Sequence, residues 1–302
     1  MTFPFVSVIV PSYNRPHAIA DCVAALRSST YPRDRFEILV VDDGSPVPIA
    51  SSLHDIQGHP RVTVLRECNA GPSAARNLGV SQARGEFLAF TDDDCRPARE
   101  WLQRLVEVAQ AAPTGMIGGR TVNGLGGNLY SSLSQVIVEE AYSYLHGRKS
   151  ELAFFASNNM LLSADQYRRI GGFDPAFRVS EDRDLCDRWT GLGLPLVYAP
   201  EAVVHHYHVL TLSTFWRQHS SYGRGARRFH QARKRRGGHR FRPDTGLYAS
   251  VCRRILSDLP LRRSLRMLVL TGVWQIANLA GFLLEVASEA SGRQTPAQDV
   301  IA

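Results

Sequence analysis

No two cysteines in this chain lie at C-x-x-C spacing, and the five present (Cys22, Cys68, Cys95, Cys186 and Cys252) are an odd number. Neither a disulfide framework nor a cysteine-based zinc site is expected, and a reducing cytosol fits best. The N-terminus lacks a basic leader, and P-F-V-S-V-I-V-P is too short for a signal h-region, so it reads as a first strand. No G-x-x-x-x-G-K-[ST] occurs, and no G-x-G-x-x-G follows that strand, which excludes a P-loop hydrolase and a Rossmann dinucleotide site. G-x-S-x-G and H-E-x-x-H are missing too.

One absence is local. From Ala202 to Pro243 there is no acidic residue, while Arg217, Arg224, Arg227, Arg228, Arg233, Lys234, Arg235, Arg236, Arg240 and Arg242 accumulate among Phe215, Trp216, Tyr222, Phe229 and Phe241. Residues 217–266 hold 15 Lys/Arg against Asp244 and Asp258, a local charge of +13 in a chain whose total is +7. The remainder is therefore acidic by six charges, and the chain is a mildly acidic body with a basic C-terminal segment. Its 302 residues suffice for one large domain, or for one domain with an appendage.

What is there alternates. V-S-V-I-V-P, F-E-I-L-V-V, R-V-T-V-L-R and E-F-L-A-F-T read as four buried strands separated by helical patterns, one of which opens on Gly71-Pro72. That alternation predicts a parallel sheet with right-handed crossovers. Further on, G-G-R-T-V-N-G-L-G-G-N reads as a loop and S-S-L-S-Q-V-I-V-E-E-A-Y-S-Y-L as a helix. S-E-D-R-D-L-C-D-R-W reads as a helix with Ser180 as N-cap, and L-P-L-V-Y-A-P and A-V-V-H-H-Y as two short strands. No internal repeat is present.

Acids collect where two of these strands end: Asp42-Asp43 behind the second, and Asp92, Asp93 and Asp94 behind the fourth. Each cluster has a plain alternative. Asp42-Asp43-Gly44-Ser45 could form only a turn, Asp94 could cap the helix P-A-R-E-W-L-Q-R-L-V, and Glu181-Asp182 could serve only a helix dipole. His205, His206 and His208 could be partly buried strand histidines. Together, however, two acidic strand ends should open onto one edge of one sheet, where α/β folds bind nucleotides. Carboxylates there can accept from a base or ribose, and Asp94 can ligate Mg2+ or Mn2+, with an imidazole ligand favouring Mn2+.

V-S-V-I-V-P-S-Y-N-R, V-V-D-D-G-S, G-P-S-A-A-R-N-L-G, F-T-D-D-D-C, N-N-M-L, G-G-F-D and E-D-R-D-L occur in this order. Over roughly residues 5–210, about two thirds of the chain, this series resembles the family-2 glycosyltransferases of the GT-A fold, of bacterial type. The resemblance implies an α/β fold, a Rossmann-like mixed sheet flanked by helices, with catalytic domain 1–210 and a basic, helical extension 211–302. It implies a metal-dependent, inverting transfer of one sugar from a nucleoside diphosphate sugar to an acceptor hydroxyl. Uridine diphosphate sugars are favoured as donors, guanosine and thymidine diphosphate sugars are alternatives, and the acceptor is a saccharide, a lipid-linked glycan or a small molecule.

Residue by residue, the resemblance implies that Pro11, Ser12, Tyr13 and Arg15 line the donor pocket and that Asp42 or Asp43 reads the base. Arg76 would reach the nucleotide or its phosphates, and Asn158 and Asn159 the sugar hydroxyls, unless those two amides only satisfy their own loop. Asp92 and Asp94 match the outer acids of the D-x-D element, serving ribose and metal (Mn2+ or Mg2+), with Asp93 the most dispensable of the three. In V-V-H-H-Y-H the family register selects His206 and His208 as metal contacts, uncertain by one residue. Asp182 matches the general base, beside Glu181 and Arg183. The Q-x-x-R-W motif of processive synthases is not reproduced: Arg188-Trp189 follows almost at once and Leu185 stands at the Gln position. The alternative in another class is a catalytically silent domain of this fold that binds carbohydrate or scaffolds a partner.

The basic segment fits anionic lipid headgroups or a diphosphate-linked lipid better than nucleic acid, and a solvated basic face is the plain alternative. Part of it, F-W-R-Q-H-S-S-Y-G-R-G-A-R-R-F, also resembles a family segment that closes over the donor, with Arg224 at the phosphates. Residues 267–284 hold eighteen positions without a charge, borderline for crossing a core of about 30 Å. A span, an in-plane helix, and a helix packed on a partner chain such as a second copy in a homodimer all remain open. Either membrane mode places the protein at the cytoplasmic face of the inner membrane.

Overall fold

The two longest apolar runs of the N-terminal half become the centre of a sheet. In the computed structural model, which describes residues 3–53, 56–148, 150–238 and 245–291, β1 (Val6–Ser12) and β2 (Phe36–Asp42) are buried almost end to end. A strand covered on both faces has no polar side to alternate, which is why both read as continuous apolar runs. β3 (Arg61–Arg66) and β4 (Phe87–Phe90) complete the parallel set. Arg240, Phe241 and Arg242 lie outside the described residues.

Eight strands in all form one mixed sheet among the described residues, in the order β3-β2-β1-β4-β7-β6-β8-β5. β7 (Met160–Ser163) runs antiparallel to β4 and to β6 (Met116–Asn123). β8 (Leu196–His206) is parallel to β6, and the three-residue β5 (Cys95–Pro97) is antiparallel to β8. The C-terminal ends of β1, β2, β4, β6 and β8 and the starts of β7 and β5 therefore share one edge. Helices α1 (Pro16–Arg27), α2 (Pro72–Ser81), α3 (Trp101–Ala111), α5 (Ala164–Ile170) and α6 (Glu181–Gly191) belong to the same unit.

Three expectations change. The segment expected as a glycine loop supplies β6, because its glycines admit neighbours at close range. A Cβ on Gly118 would stand 2.0 Å from the Phe155 ring, and one on Gly119 would stand 2.3 Å from the Ala202 carbonyl. The two short strands expected near residue 200 are one strand, β8, whose register against β6 jumps between Gly119 and Arg120. Ser180 takes φ 66°, in the left-handed region, and not the extended backbone of an N-cap.

The described residues of the second unit are 125–148, 150–153, 177–180, 208–238 and 245–291. It includes α4 (Leu129–Gly147), α7 (Leu212–Arg235), α8 (Thr245–Asp258) and α9 (Leu261–Ala290). Leu133, Phe215, Val251, Ile255, Met267, Leu270 and Trp274 form its core. Residues 125–153 thus fall on the other side of the expected boundary at 210. The cause is Leu133 in that core, together with Arg254 of α8, which donates to Glu139 at 2.5 Å and to Glu140 at 3.0 Å on α4.

The basic run is helix α7, opened by a Thr211–Thr214 capping box. Part of its charge is paired inside this unit: Arg228 to Glu285 at 2.5 Å, Arg227 to Glu289 at 2.9 Å and Arg233 to Glu151 at 2.7 Å. α7 and α9 approach almost backbone to backbone. A Cβ on Gly223 would lie 2.0 Å from the Asn278 carbonyl oxygen, and one on Gly281 only 1.8 Å from that of Ser220.

Candidate active site

The shared sheet edge gathers the acids, but it gives each a different task. Asp42, 1% exposed, accepts from Ser45 N at 2.8 Å, Ile49 N at 3.3 Å and Arg66 Nη1 at 3.0 Å. It ties down the turn behind β2 and is corrected from base reader to structural anchor, since its carboxylate is already committed on three sides. Asp43 is also buried and accepts one backbone N–H on each oxygen, from Ala70 at 2.7 Å and Gly71 at 3.0 Å. Pro11 and Ser12 close β1 at this edge, with Tyr13, half-buried, just beyond.

Behind β4 the three acids diverge. Asp92 pairs with Arg76 at 2.7 Å. Asp93 is buried and accepts from Ser12 Oγ at 2.7 Å and Arg15 Nη1 at 3.1 Å. Asp94 meets Arg15 at 3.1 Å and His206 Nε2 at 3.1 Å. Asp93, expected to be the most dispensable of the three, thus holds Ser12 and shares Arg15 with Asp94. Asp94 does not cap the next helix either, because α3 begins at Trp101 with Glu100 at its N-cap.

Arg76, expected at the nucleotide, is held by acids. Only 3% exposed, it donates to Glu181 at 2.9 Å as well as to Asp92, and its guanidinium stacks over the Phe173 ring at 5.4 Å. It is enclosed between acids instead of presented to a phosphate, and it joins the turn behind β4 to the start of α6. There Asp182 Oδ1 accepts from Arg183 N at 2.7 Å. Asn159, expected at sugar hydroxyls, is 2% exposed; it accepts from Trp101 Nε1 at 2.8 Å and donates to the Ala202 carbonyl at 3.1 Å. Both ends of its amide are used in the core, so it acts as a brace. Asn158 is half-buried and accepts from Thr121 Oγ1 at 3.2 Å.

Strand pairing separates the histidines. Cys95 is the Cα partner of His206, and Arg96 that of His205, so these two histidines point to opposite faces. Among the described residues one group of side chains could hold a metal ion: Asp94, Cys95 and His206, with ligand atoms all within 4.8 Å of one another. Asp92 and His208 are not in it. Asp92 is engaged with Arg76, and His208 lies past the end of β8 in the second unit, where its Nδ1 is 3.4 Å from Gln218 Nε2. Cys95 was not anticipated, because a three-residue strand leaves no periodic signal.

Electrostatics follow from this crowding. Burial and the neighbouring Asp94 and Asp92 push Asp93 up to about 6 against the opposing pull of Arg15. Burial, Asp182 and Asp92 raise Glu181 to about 7 despite Arg76. Asp182 is also raised, first by burial and then by Asp92. Burial alone would disfavour the His206 imidazolium, but Asp94 and Asp92 outweigh it and raise its pKa. Five carboxylates face the guanidiniums of Arg15 and Arg76, an excess of negative charge that fits a divalent cation. A carboxylate beside an imidazole is also donor chemistry suited to Mn2+.

Residues 7–170, more than half the chain, match the profile of Glycosyl transferase family 2. The chain belongs to glycosyltransferase family 2. It is 30% identical over 213 residues to Glycosyltransferase AglE of Haloferax volcanii, covering 68% of this chain and 67% of that protein. It is 32% identical to the pre-mycofactocin glycosyltransferase of Mycobacterium tuberculosis over 73% of this chain, but spans only 46% of that relative. Among solved structures, the mannosyltransferase PcManGT from Pyrobaculum calidifontis, in complex with GDP-Man and Mn2+, aligns with TM-score 0.66 at 18% identity, covering 96% of this chain and 88% of that one. Residues 1–349 of S. aureus TarS align with TM-score 0.54 at 14% identity, covering 97% and 93%. These likenesses establish the GT-A fold of this glycosyltransferase. Its Arg188 and Trp189 tie α6 to its neighbours: Arg188 bonds Asp184 and the Ile170 and Gly172 carbonyls, and the buried Trp189 donates to the Pro195 carbonyl.

Proposed function

We propose that this glycosyltransferase moves one sugar from a nucleoside diphosphate sugar to an acceptor hydroxyl, with inversion and with a divalent ion as cofactor. One observation carries the reading. Arg76 bonds Asp92 and Glu181 at once, which ties the acid-rich turn behind β4 to the helix start that presents Asp182. Asp94 and His206 would hold Mn2+ or Mg2+, and the ion when bound supplies Lewis acidity toward the departing diphosphate. Asp182 takes the acceptor proton as the hydroxyl oxygen attacks the anomeric carbon, and its raised proton affinity suits a base working near neutral pH. Glu181 and Arg76 hold that helix start in place, while Asp93 fixes Ser12 and Arg15 beneath the donor.

The donor is a uridine diphosphate sugar by preference. GDP-Man in PcManGT makes a guanosine diphosphate sugar the next candidate, ahead of thymidine. The acceptor is a saccharide or a lipid-linked glycan. Release of nucleoside diphosphate from a panel of these donors with Mn2+ tests the proposal. Turnover of at least one donor is expected, lost on chelation, with product NMR showing the inverted anomer. No release from any donor, or retained configuration, would sink it.

For location, we place α9 in the headgroup plane of the anionic inner leaflet. Leu265, Val269, Ile276, Leu279 and Leu283 are each more than half exposed and follow one another along a helix face. Met267, Trp274, Ala277 and Gly281 on another face are buried. Exposed Arg262 and Arg266 stand at the N-terminal end, where each basic residue contributes about 1 kcal/mol toward anionic lipid. Co-sedimentation with phosphatidylglycerol-containing vesicles should fall at least about tenfold in Ile276→Asp/Leu279→Asp. A dimer in solution with no vesicle binding would assign the face to a second copy.

A further inference from the structure

Cys95 and His206 are directly opposed partners on β5 and β8, so their side chains leave the same face of the sheet as immediate neighbours. Asp94 precedes Cys95, and its backbone is fixed by Tyr207 N, which donates to the Asp94 carbonyl at 2.8 Å. Gly124 N fixes the other side, donating to the His206 carbonyl at 2.8 Å. Backbone pairing, not chance side-chain meeting, brings the three groups together. Asp94 Oδ1 is 3.1 Å from His206 Nε2 and 3.9 Å from Cys95 Sγ.

We infer that Cys95 is a third, sulfur ligand of the divalent ion, so that this centre takes a borderline ion such as Co2+ or Zn2+ ahead of Mg2+. The inference rests on the metal-dependent reading above and adds to it a donor atom and a selectivity. An ion at about 2.0–2.1 Å from nitrogen and oxygen and about 2.3 Å from sulfur would see O–M–N near 95° and O–M–S near 125°, either side of tetrahedral. The third edge, no more than 4.8 Å, has to close by up to about 1.2 Å to reach a tetrahedral nitrogen–sulfur separation of about 3.6 Å, a side-chain adjustment that ion binding would drive. Cys95 is fully buried whereas Asp94 and His206 are partly exposed, so the thiol closes the inner side and leaves the outer one open. Three protein ligands with an open position form a catalytic layout, and thiolate favours softer ions than carboxylate alone. On binding, the ion replaces the S–H proton, which leaves to water.

Co2+ is the probe, used on the full chain with Cys68→Ser and Cys252→Ser to remove the thiols outside the core. Bound Co2+, counted by equilibrium dialysis, should give a sulfur-to-cobalt charge-transfer band in the near ultraviolet. Cys95→Ser should lose that band, keep the weaker d–d bands, and bind Co2+ at least about tenfold more weakly, with Mg2+ affinity changed less than about twofold. Cys95→Ala serves if the serine variant does not fold. Bound Co2+ without the charge-transfer band, or a band that survives either substitution, overturns the sulfur ligand and leaves the metal reading standing. No bound Co2+ overturns both.

Discussion

Two turns in this molecule look alike in sequence: Asp42-Asp43 behind β2 and Asp92-Asp93-Asp94 behind β4. They differ in what answers the charge. Behind β2, backbone N–H groups and Arg66 saturate Asp42, and two further N–H groups hold Asp43. Behind β4 side chains answer the three carboxylates. They meet Ser12, Arg15, Arg76 and His206, all side chains, and two more acids stand close by. Backbone donors cannot leave, so the first turn is architecture. Side-chain cations can be exchanged for a bound ion, which is why the second turn is the one we propose as the site. Acidity alone does not separate the two; the kind of donor does.

The comparison breaks most visibly in activity. Asp182→Asn, at the helix start tied to the second turn, should lower kcat by about 10²–10⁴ with little change in Tm, read from donor turnover and a thermal melt. Next comes Asp42→Ala, which leaves Ser45 N, Ile49 N and Arg66 Nη1 without their acceptor. It should cost on the order of 3 kcal/mol in urea unfolding, and an unchanged midpoint would refute the anchoring role. Gly118→Val should cost about 1–3 kcal/mol by driving a side chain into Phe155.

A further effect is on pH dependence. Glu181 is held up at about 7 against an ordinary value near 4.3 in the unfolded chain. A carboxyl raised on folding binds its proton more tightly in the native state. Its stabilising contribution is present below about pH 4.3 and is lost as pH rises toward about 7. The urea midpoint of the metal-free protein should therefore fall across that window through this group, and Glu181→Gln should flatten the slope. An unaltered slope would mean that Glu181 titrates normally.

The strands β1, β2 and β4 were legible because burial on both faces leaves an unbroken apolar run. β6 was not, since Gly118 and Gly119 are explained only by Phe155 and Ala202, which are far away in sequence. The acids were legible as a group, and so was their common edge. Their division of labour was not, because it depends on Arg66 reaching Asp42 across 24 residues and Arg76 reaching Glu181 across 105. That His206 stands beside Cys95 while His205 faces the other way follows from the pairing of β5 with β8, which the sequence pattern does not reveal. Asn159 shows the converse error: an amide in a family motif can be spent on a tryptophan and a carbonyl in the core.

The central claim is that the turn behind β4 is a cation site while the turn behind β2 is not. Thermal melts of the wild type and Asp94→Asn, each with and without Mn2+, test it most directly. Mn2+ should raise the wild-type Tm, because an ion that binds only the folded state stabilises it. Asp94→Asn should melt no lower than wild type without the ion, since one of several crowded carboxylates is neutralised, and it should lose the Mn2+ shift. An Asp94→Asn protein that keeps the full shift, or that is destabilised as Asp42→Ala is expected to be, would contradict it.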